Sequence, residues 1–292
     1  MTVAELFQTS RVHMSCEIFP PKAFDKVEEA KAVVREICAL HPAFVSVTYG
    51  ATGTTPRFTQ EMSECVQGCG VTALNHLTCI NSTKSKVRAV LDDLCAAGVQ
   101  NVLALRGDIP EGMGFPGEDH FHYAAELIAA IKRRGGFCVG AACYPEGHPE
   151  APDRDSDLRH LREKQDAGAD FLTTQMFFDN NILYQFLYRA LQKGITIPVT
   201  AGVMPVVSAR QIKRITALSG ASLPPRFLAI LDRFGGDAAS MQKAGIAYAT
   251  EQLIDLIANG VNHIHLYTMN RPDIARAIFD NLGCILDTSY GK

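Results

Sequence analysis

Short apolar runs alternate with longer segments of mixed polarity along the chain. Eight of these runs are rich in β-branched or aromatic residues, which is typical of strands. They cover residues 14–19, 44–49, 73–78, 102–105, 137–143, 171–176, 198–203 and 263–267. Most of them lack polar alternation, and this pattern favours parallel strands that are buried on both faces.

The segments between the strands show the spacing of amphipathic helices. Gly98, Gly135, Gly168 and Gly194 each follow such a segment, and Ser208 is a candidate N-cap for another. Strand starts recur roughly every 30 residues as far as the seventh, and roughly 65 residues then precede the eighth. The pattern predicts a single (β/α)8 TIM barrel of the α/β class over residues 1–292, with extra helices between strands 7 and 8. A doubly wound sheet also has buried parallel strands, but it fits this strand count less well.

Composition narrows the class of protein. The chain has 28 Lys and Arg against 31 Asp and Glu, a formal net charge of −3, and so it offers no basic field for nucleic acid or an anionic membrane. Its apolar runs fall short of the roughly 18 residues that a membrane-spanning helix needs. The first ten residues lack the pattern of a secretory signal, and the odd number of cysteines, nine, fits a reducing compartment. We expect a cytoplasmic protein with no nucleic-acid or membrane partner.

Candidate chemistry lies at the carboxyl ends of the predicted strands, where barrels of this type carry their functional groups. Glu17 interrupts an apolar strand, and burial disfavours an ionised carboxyl group. It is therefore either a proton donor or one half of a structural salt bridge.

Arg106, Gly107 and Asp108 follow the fourth strand, and the glycine lets the backbone approach a ligand closely. An Arg–Asp pair that fixes the loop is an equal alternative.

One glycine-rich stretch matches the spacing of a dinucleotide-binding fingerprint but lacks the strand before it and the apolar helix after it that the fingerprint requires. Gly112, Gly114 and Gly117 do not directly follow a strand, and Glu118 comes next instead of an apolar helix. With Pro110 nearby, the stretch is interpreted as a mobile loop over the barrel mouth, or as an idle surface loop.

Metal-ligating patterns are weak. The chain has neither HExxH nor CxxC, and Cys65 and Cys69 lie in a helical stretch where packing is the simpler explanation. His263 and His265 share one face of the last strand, and two hydrogen-bonded structural histidines are the simpler interpretation there as well. We predict no metal site.

Motifs at the strand ends carry a family resemblance. They are EIFPPK from residue 17, FVSVTYGA from 44, HLTC from 76, ALRGD from 104, YPEGHPE from 144, TQMFFD from 174, GVMP from 202 and YTMNR from 267. In this order and at these separations, they resemble the bacterial, single-domain methylenetetrahydrofolate reductases. The resemblance runs nearly end to end.

The resemblance implies a barrel that binds FAD and reduces 5,10-methylenetetrahydrofolate to 5-methyltetrahydrofolate in one-carbon metabolism and methionine biosynthesis. NADH or NADPH would reduce the flavin first. By motif, Glu17 would be the general acid, and Asp108 would lie near the flavin and pterin and favour hydride transfer. Gln175, Gln211 and Arg271 would hold the substrate together with Glu17. The implied FAD contacts are Thr48, His76, Arg106, Gly107, Asp108, Tyr144, His148, Asp157 and Lys164.

Some features depart from the family pattern or leave alternatives open. His160 and Glu163 stand where an amide and a basic residue are expected, so the contacts with FAD are expected to differ from those of the family. The resemblance further implies a homo-oligomer without a regulatory C-terminal domain. A flavin-bearing subunit that receives electrons from a partner protein is the alternative function. A flavin barrel that oxidises an amino acid is a third, but it does not explain the motifs of Glu17 and Gln175 together.

Overall fold

Eight parallel strands close into a barrel in the computed structural model, which describes residues 1–49, 56–109, 112 and 114–287. Each strand pairs with the next in sequence, and the eighth pairs with the first. The strands are β1 (His13–Ile18), β2 (Phe44–Val47), β3 (Thr72–Thr78), β4 (Asn101–Leu105), β5 (Cys138–Cys143), β6 (Phe171–Thr174), β7 (Val199–Val203) and β8 (His263–Tyr267). The predicted (β/α)8 barrel is confirmed, with all eight strands within a few residues of their expected positions.

Helices surround the barrel and connect its strands. They are α1 (Val3–Leu6), α2 (Val27–Cys38), α3 (Pro56–Gly68), α4 (Lys84–Ala96), α5 (Ala124–Arg134), α6 (Arg154–Asp166), α7 (Asn180–Gln192), α8 (Ala209–Ser219), α9 (Pro225–Phe234), α10 (Ala238–Ala258), α11 (Pro272–Leu282) and α12 (Cys284–Asp287). The predicted extra helices between β7 and β8 are α8, α9 and α10. Ser208 occupies the N-cap position of α8, as predicted, although its side chain makes no capping hydrogen bond. No helix of the described residues is both long and apolar enough to cross a membrane.

The amino end of the barrel is closed by α1, which the sequence did not predict. Thr2 and Glu5 form a capping box at the start of this helix, and the Val3 backbone N–H donates to Asn101 Oδ1 at 2.8 Å. An apolar cluster fills the barrel beneath the helix, and its buried members are Val3, Phe7, Phe44, Leu74, Leu103, Cys138 and Phe171. This plug leaves the carboxyl end as the side on which a ligand can enter.

Candidate active site

A layer of polar side chains lies inside the barrel, above the apolar plug. It consists of Ser15 and Glu17 from β1, Ser46 from β2, His76 from β3 and His265 from β8, all of them buried. Strand register explains why they meet, since Glu17 is level with Ser46 across one strand pair and Ser15 is level with His265 across the other. The barrel thus collects five polar groups, contributed by four strands, into one buried cluster.

Hydrogen bonding fixes the orientation of His265 within this cluster. Ser15 Oγ donates to the Ile264 carbonyl oxygen at 2.9 Å, and it also lies 2.7 Å from His265 Nδ1. A hydroxyl group has a single proton, so Ser15 can only accept from Nδ1–H. A neutral His265 therefore presents Nε2 as a hydrogen-bond acceptor, and Nε2 lies 3.1 Å from Ser46 Oγ.

Glu17 is the carboxyl group that this acceptor faces. Its Oε2 lies 3.4 Å from Ser46 Oγ, 3.5 Å from His265 Nε2 and 3.6 Å from His76 Nε2, and the residue is 9% exposed. Burial lowers the pKa of His76 to about 4, against the opposing attraction of Glu17, so His76 is neutral at neutral pH. The described partners of Glu17 are thus serine and histidine side chains instead of the Lys or Arg of a structural salt bridge.

A polar clamp holds the loop that follows Glu17. Asn270 Oδ1 accepts from the Phe19 backbone N–H at 2.8 Å, and Asn270 Nδ2 donates to the Phe19 carbonyl at 2.9 Å. Thr268 Oγ1 donates to the Glu17 carbonyl at 2.5 Å. The ends of β1 and β8 are therefore joined, which limits how far the backbone of Glu17 can move.

Arg106 lies at the barrel rim directly after β4. Its guanidinium binds both carboxylate oxygens of Glu150, with Nη1–Oε2 at 2.5 Å and Nη2–Oε1 at 2.8 Å. The expected alternative, an Arg106–Asp108 pair, is wrong, because the ion-pair partner comes from the segment after β5. Asp108 is exposed at the rim. Gly107 has φ +85°, and a Cβ there would lie 3.0 Å from Thr78 Cβ, so this position requires glycine for local reasons alone.

A second group of predicted cofactor residues lies around the carboxyl end of β5 and on α6. The Tyr144 and His148 rings pack edge to face, with centroids 4.6 Å apart. Lys164 Nζ donates to the Ala142 carbonyl oxygen at 2.9 Å. Burial lowers the pKa of Lys164 and raises that of Asp157, while their mutual attraction opposes both shifts. The amine and the carboxyl group are therefore close enough to interact electrostatically.

The departures from the family pattern lie on the exposed side of the same helix. His160 Nδ1 and Glu163 Oε2 are 3.1 Å apart, and both side chains are more than half exposed. They form a local pair three residues apart on α6, which is worth little in stability. Their effect on a cofactor remains a prediction.

Tight packing surrounds the carboxyl ends of β6, β7 and β8. The Tyr267 hydroxyl donates to the Thr174 carbonyl oxygen at 2.6 Å, and burial raises its pKa far above the ordinary range. A Cβ at Gly202 would lie 2.5 Å from the same carbonyl oxygen and 2.6 Å from the Tyr267 ring. Gln175 directly follows Thr174 in the sequence, and its Oε1 accepts from the Met176 backbone N–H at 3.0 Å. Position 202 therefore has no space for a side chain.

The remaining predicted site residues are not members of the buried cluster. Thr48 follows β2, and its backbone N–H donates to the Ile18 carbonyl at 3.0 Å. Gln211 lies partly exposed in the first turn of α8. Arg271 is exposed and binds both carboxylate oxygens of Asp273, at 2.9 and 2.7 Å. Their binding roles remain predictions. Gly50, Ala51 and Pro110 lie outside the described residues.

Sequence reasoning missed the roles of Ser15, Ser46 and His265. The interpretation of two hydrogen-bonded histidines holds for His265, whereas Nδ1 of His263 is buried without a hydrogen-bond partner among the described residues. The sequence does contain a signal for the buried cluster, since Ser15 and Glu17 alternate along β1 as His263 and His265 do along β8. Within the part of the chain that the structure describes, no group of three His, Cys, Asp or Glu side chains could hold a metal ion.

Comparison with known proteins places this geometry in context. The family model described as methylenetetrahydrofolate reductase matches residues 2–283. The 5,10-methylenetetrahydrofolate reductase of Pectobacterium carotovorum subsp. carotovorum is 33% identical over 283 residues, which cover 97% of this chain and 93% of that protein. The Zea mays protein named methylenetetrahydrofolate reductase (NADH) 1 is also 33% identical, over 99% of this chain but only 51% of the plant protein.

A solved structure shares the architecture. It is described as an uncharacterized protein from Clostridium thermocellum that binds two copies of 5-methyl-5,6,7,8-tetrahydrofolic acid. Its TM-score is 0.65 at 12% sequence identity, and the match covers 97% of this chain and 98% of that one. At this level of identity the likeness shows the fold.

Proposed function

Because this chain belongs to the methylenetetrahydrofolate reductase family of oxidoreductases, we propose that it reduces 5,10-methylenetetrahydrofolate to 5-methyltetrahydrofolate with FAD as cofactor and NADH or NADPH as electron donor. The observation that carries this proposal is the buried carboxyl group of Glu17, which lies inside the barrel between one serine and two histidines. Reduction of the methylene bridge needs a proton donor as well as a hydride donor. The cluster offers a proton donor on the side of the barrel where ligands enter.

Glu17 acts as the acid in this proposal. Glu17 Oε2 lies 3.5 Å from His265 Nε2, whose ring is oriented by the contact of Nδ1 with Ser15 Oγ. Glu17 protonates a nitrogen of the five-membered folate ring, which opens the ring to an electrophilic iminium. The Ser46 hydroxyl then stabilises the carboxylate, since it lies within 3.4 Å of Oε2.

The groups at the rim fit a flavin dinucleotide. Arg106, His148 and Lys164 lie near one another around β4, β5 and α6, close enough for each to influence the ionisation of the next. They supply the hydrogen-bond donors that a diphosphate needs. In addition, His76 Nε2 is buried without a hydrogen-bond partner among the described residues, so a polar ligand atom in the mouth could satisfy it. When bound, the flavin supplies hydride acceptance and donation.

The remaining proposed contacts position and polarise the reactants. Tyr144, Thr48, Gly107 and Asp157 complete the cofactor site in this proposal. A fixed negative charge at Asp108 disfavours additional negative charge on a reduced cofactor and favours the cationic iminium, so both effects promote hydride transfer. Gln175, Gln211 and Arg271 hold the substrate, and Arg271 exchanges its contact with Asp273 for an acidic group of the folate.

An absorption spectrum followed by anaerobic titration tests this function. The purified protein is expected to show flavin bands that NADH or NADPH bleaches and that methylenetetrahydrofolate then restores. A colourless preparation that FAD does not reconstitute would overturn the cofactor assignment. Bleaching by reduced dyes but by neither nicotinamide would instead indicate a subunit that receives electrons from a partner protein.

A further inference from the structure

The carboxylate of Glu150 binds the guanidinium group of Arg106 at the barrel rim. Both carboxylate oxygens bind it, at 2.5 and 2.8 Å, and the Arg106 side chain is 19% exposed whereas that of Glu150 is 63% exposed. The contact joins the segment that follows β4 to the segment that follows β5. One partner is thus partly enclosed in the rim, and the other reaches it from solvent.

Each partner is held independently of the ion pair. Arg106 Nε donates to the Gly107 carbonyl at 3.1 Å, which orients the guanidinium from within its own loop. The Glu150 backbone N–H donates to His148 Nδ1 at 3.1 Å, and the Ala151 N–H donates to the His148 carbonyl at 2.9 Å. Rotation of the exposed Glu150 side chain can therefore release Arg106 without displacing either segment.

The pair is ionic, and its geometry is the one by which arginine binds phosphate. The hydrogen bond from Arg106 lowers the pKa of Glu150, and the same bond raises the pKa of Arg106. A planar guanidinium binds carboxylate and phosphate through the same two parallel N–H donors. A phosphate group bound through the same two parallel donors must displace Glu150, because Nε already donates to the Gly107 carbonyl.

We propose that the Glu150 carboxylate competes with a cofactor phosphate for binding to Arg106. Flavin dinucleotide binding exchanges the Glu150 carboxylate for phosphate oxygens, and Glu150 thereby sets the affinity for the cofactor. This inference rests on the proposed function, because it requires Arg106 to bind a cofactor phosphate.

The test measures flavin binding by the cofactor-free protein and its Glu150→Gln variant. FAD and riboflavin are titrated separately by flavin fluorescence, since riboflavin carries the ring system without a phosphate. We expect the FAD dissociation constant to fall roughly five-fold in the variant, or about 1 kcal/mol, while that for riboflavin stays unchanged. Glu150→Ala, which removes the competing acceptor entirely, should shift FAD binding in the same direction by at least as much.

A matched control comes from the exposed bidentate pair of Arg226 and Glu251, which joins α9 to α10. Glu251→Gln should leave the affinity for FAD unchanged, and thermal unfolding should show that all variants fold. Weaker or unchanged FAD binding by Glu150→Gln overturns the inference and leaves the proposed function standing. Equal tightening for riboflavin also overturns it, because the effect would not involve the phosphate. Failure of the wild-type protein to bind FAD overturns the cofactor assignment and this inference with it.

Discussion

Replacement of His76 by glutamine should change how the stability of the cofactor-free protein depends on pH. His76 is 6% exposed, and burial lowers its pKa from the ordinary 6.5 to about 4. Between these two values the unfolded chain binds a proton that the folded protein does not bind. Acidification therefore favours the unfolded state, and this effect fades as the pH rises above 6.5. From pH 7 to pH 5, His76 should lower the free energy of unfolding by about 2 kcal/mol.

Urea unfolding at pH 7 and pH 5 measures this effect. The wild-type protein should lose about 2 kcal/mol more stability on acidification than His76→Gln, because the other titrating groups are common to both proteins. His160 provides the control, since its side chain is 64% exposed. His160→Gln should keep the pH dependence of the wild type. An identical loss in His76→Gln and the wild type would show that His76 titrates normally and that its burial carries no such cost.

Two further substitutions test the walls of the mouth and the charge at its rim. Gly202→Ala should lower the free energy of unfolding by about 1 to 3 kcal/mol, because the methyl group would contact the Thr174 carbonyl and the Tyr267 ring. Urea unfolding checks this, with Gly236→Ala as a control that has open space around its Cβ and should shift stability by less than about 1 kcal/mol. Asp108→Asn should raise the flavin reduction potential by roughly 30 mV, since this corresponds to a ten-fold change in a two-electron equilibrium. A spectroscopic redox titration that finds an unchanged or lower potential would count against the electrostatic role of Asp108.

The barrel could be predicted because its strands are buried on both faces. The run 137–143, for example, is apolar without alternation, and β5 lies within it. Functional groups follow the carboxyl ends of barrel strands, and this rule predicts Glu17 and Arg106 as site residues. Both proved to make specific polar contacts in the structure.

Other features depend on strand register and side-chain orientation, which local patterns do not specify. Ser15, Ser46 and His265 meet only because the barrel closes with β1 between β2 and β8. The contact between Arg106 and Glu150 spans two loops whose relative position follows from the strand order. The short helix α1 has too few residues for a periodic signal, although Thr2 and Glu5 show the spacing of a capping box.

The acid role of Glu17 is tested most directly by separating the two half-reactions in Glu17→Gln. Stopped-flow absorbance follows reduction of the bound flavin by the nicotinamide and, separately, its reoxidation by methylenetetrahydrofolate. We predict that flavin reduction stays within about ten-fold of the wild-type rate, whereas the folate step slows by at least about 100-fold, the range expected for loss of a general acid. An equal loss in both half-reactions, or a folate step at the wild-type rate, would contradict the account.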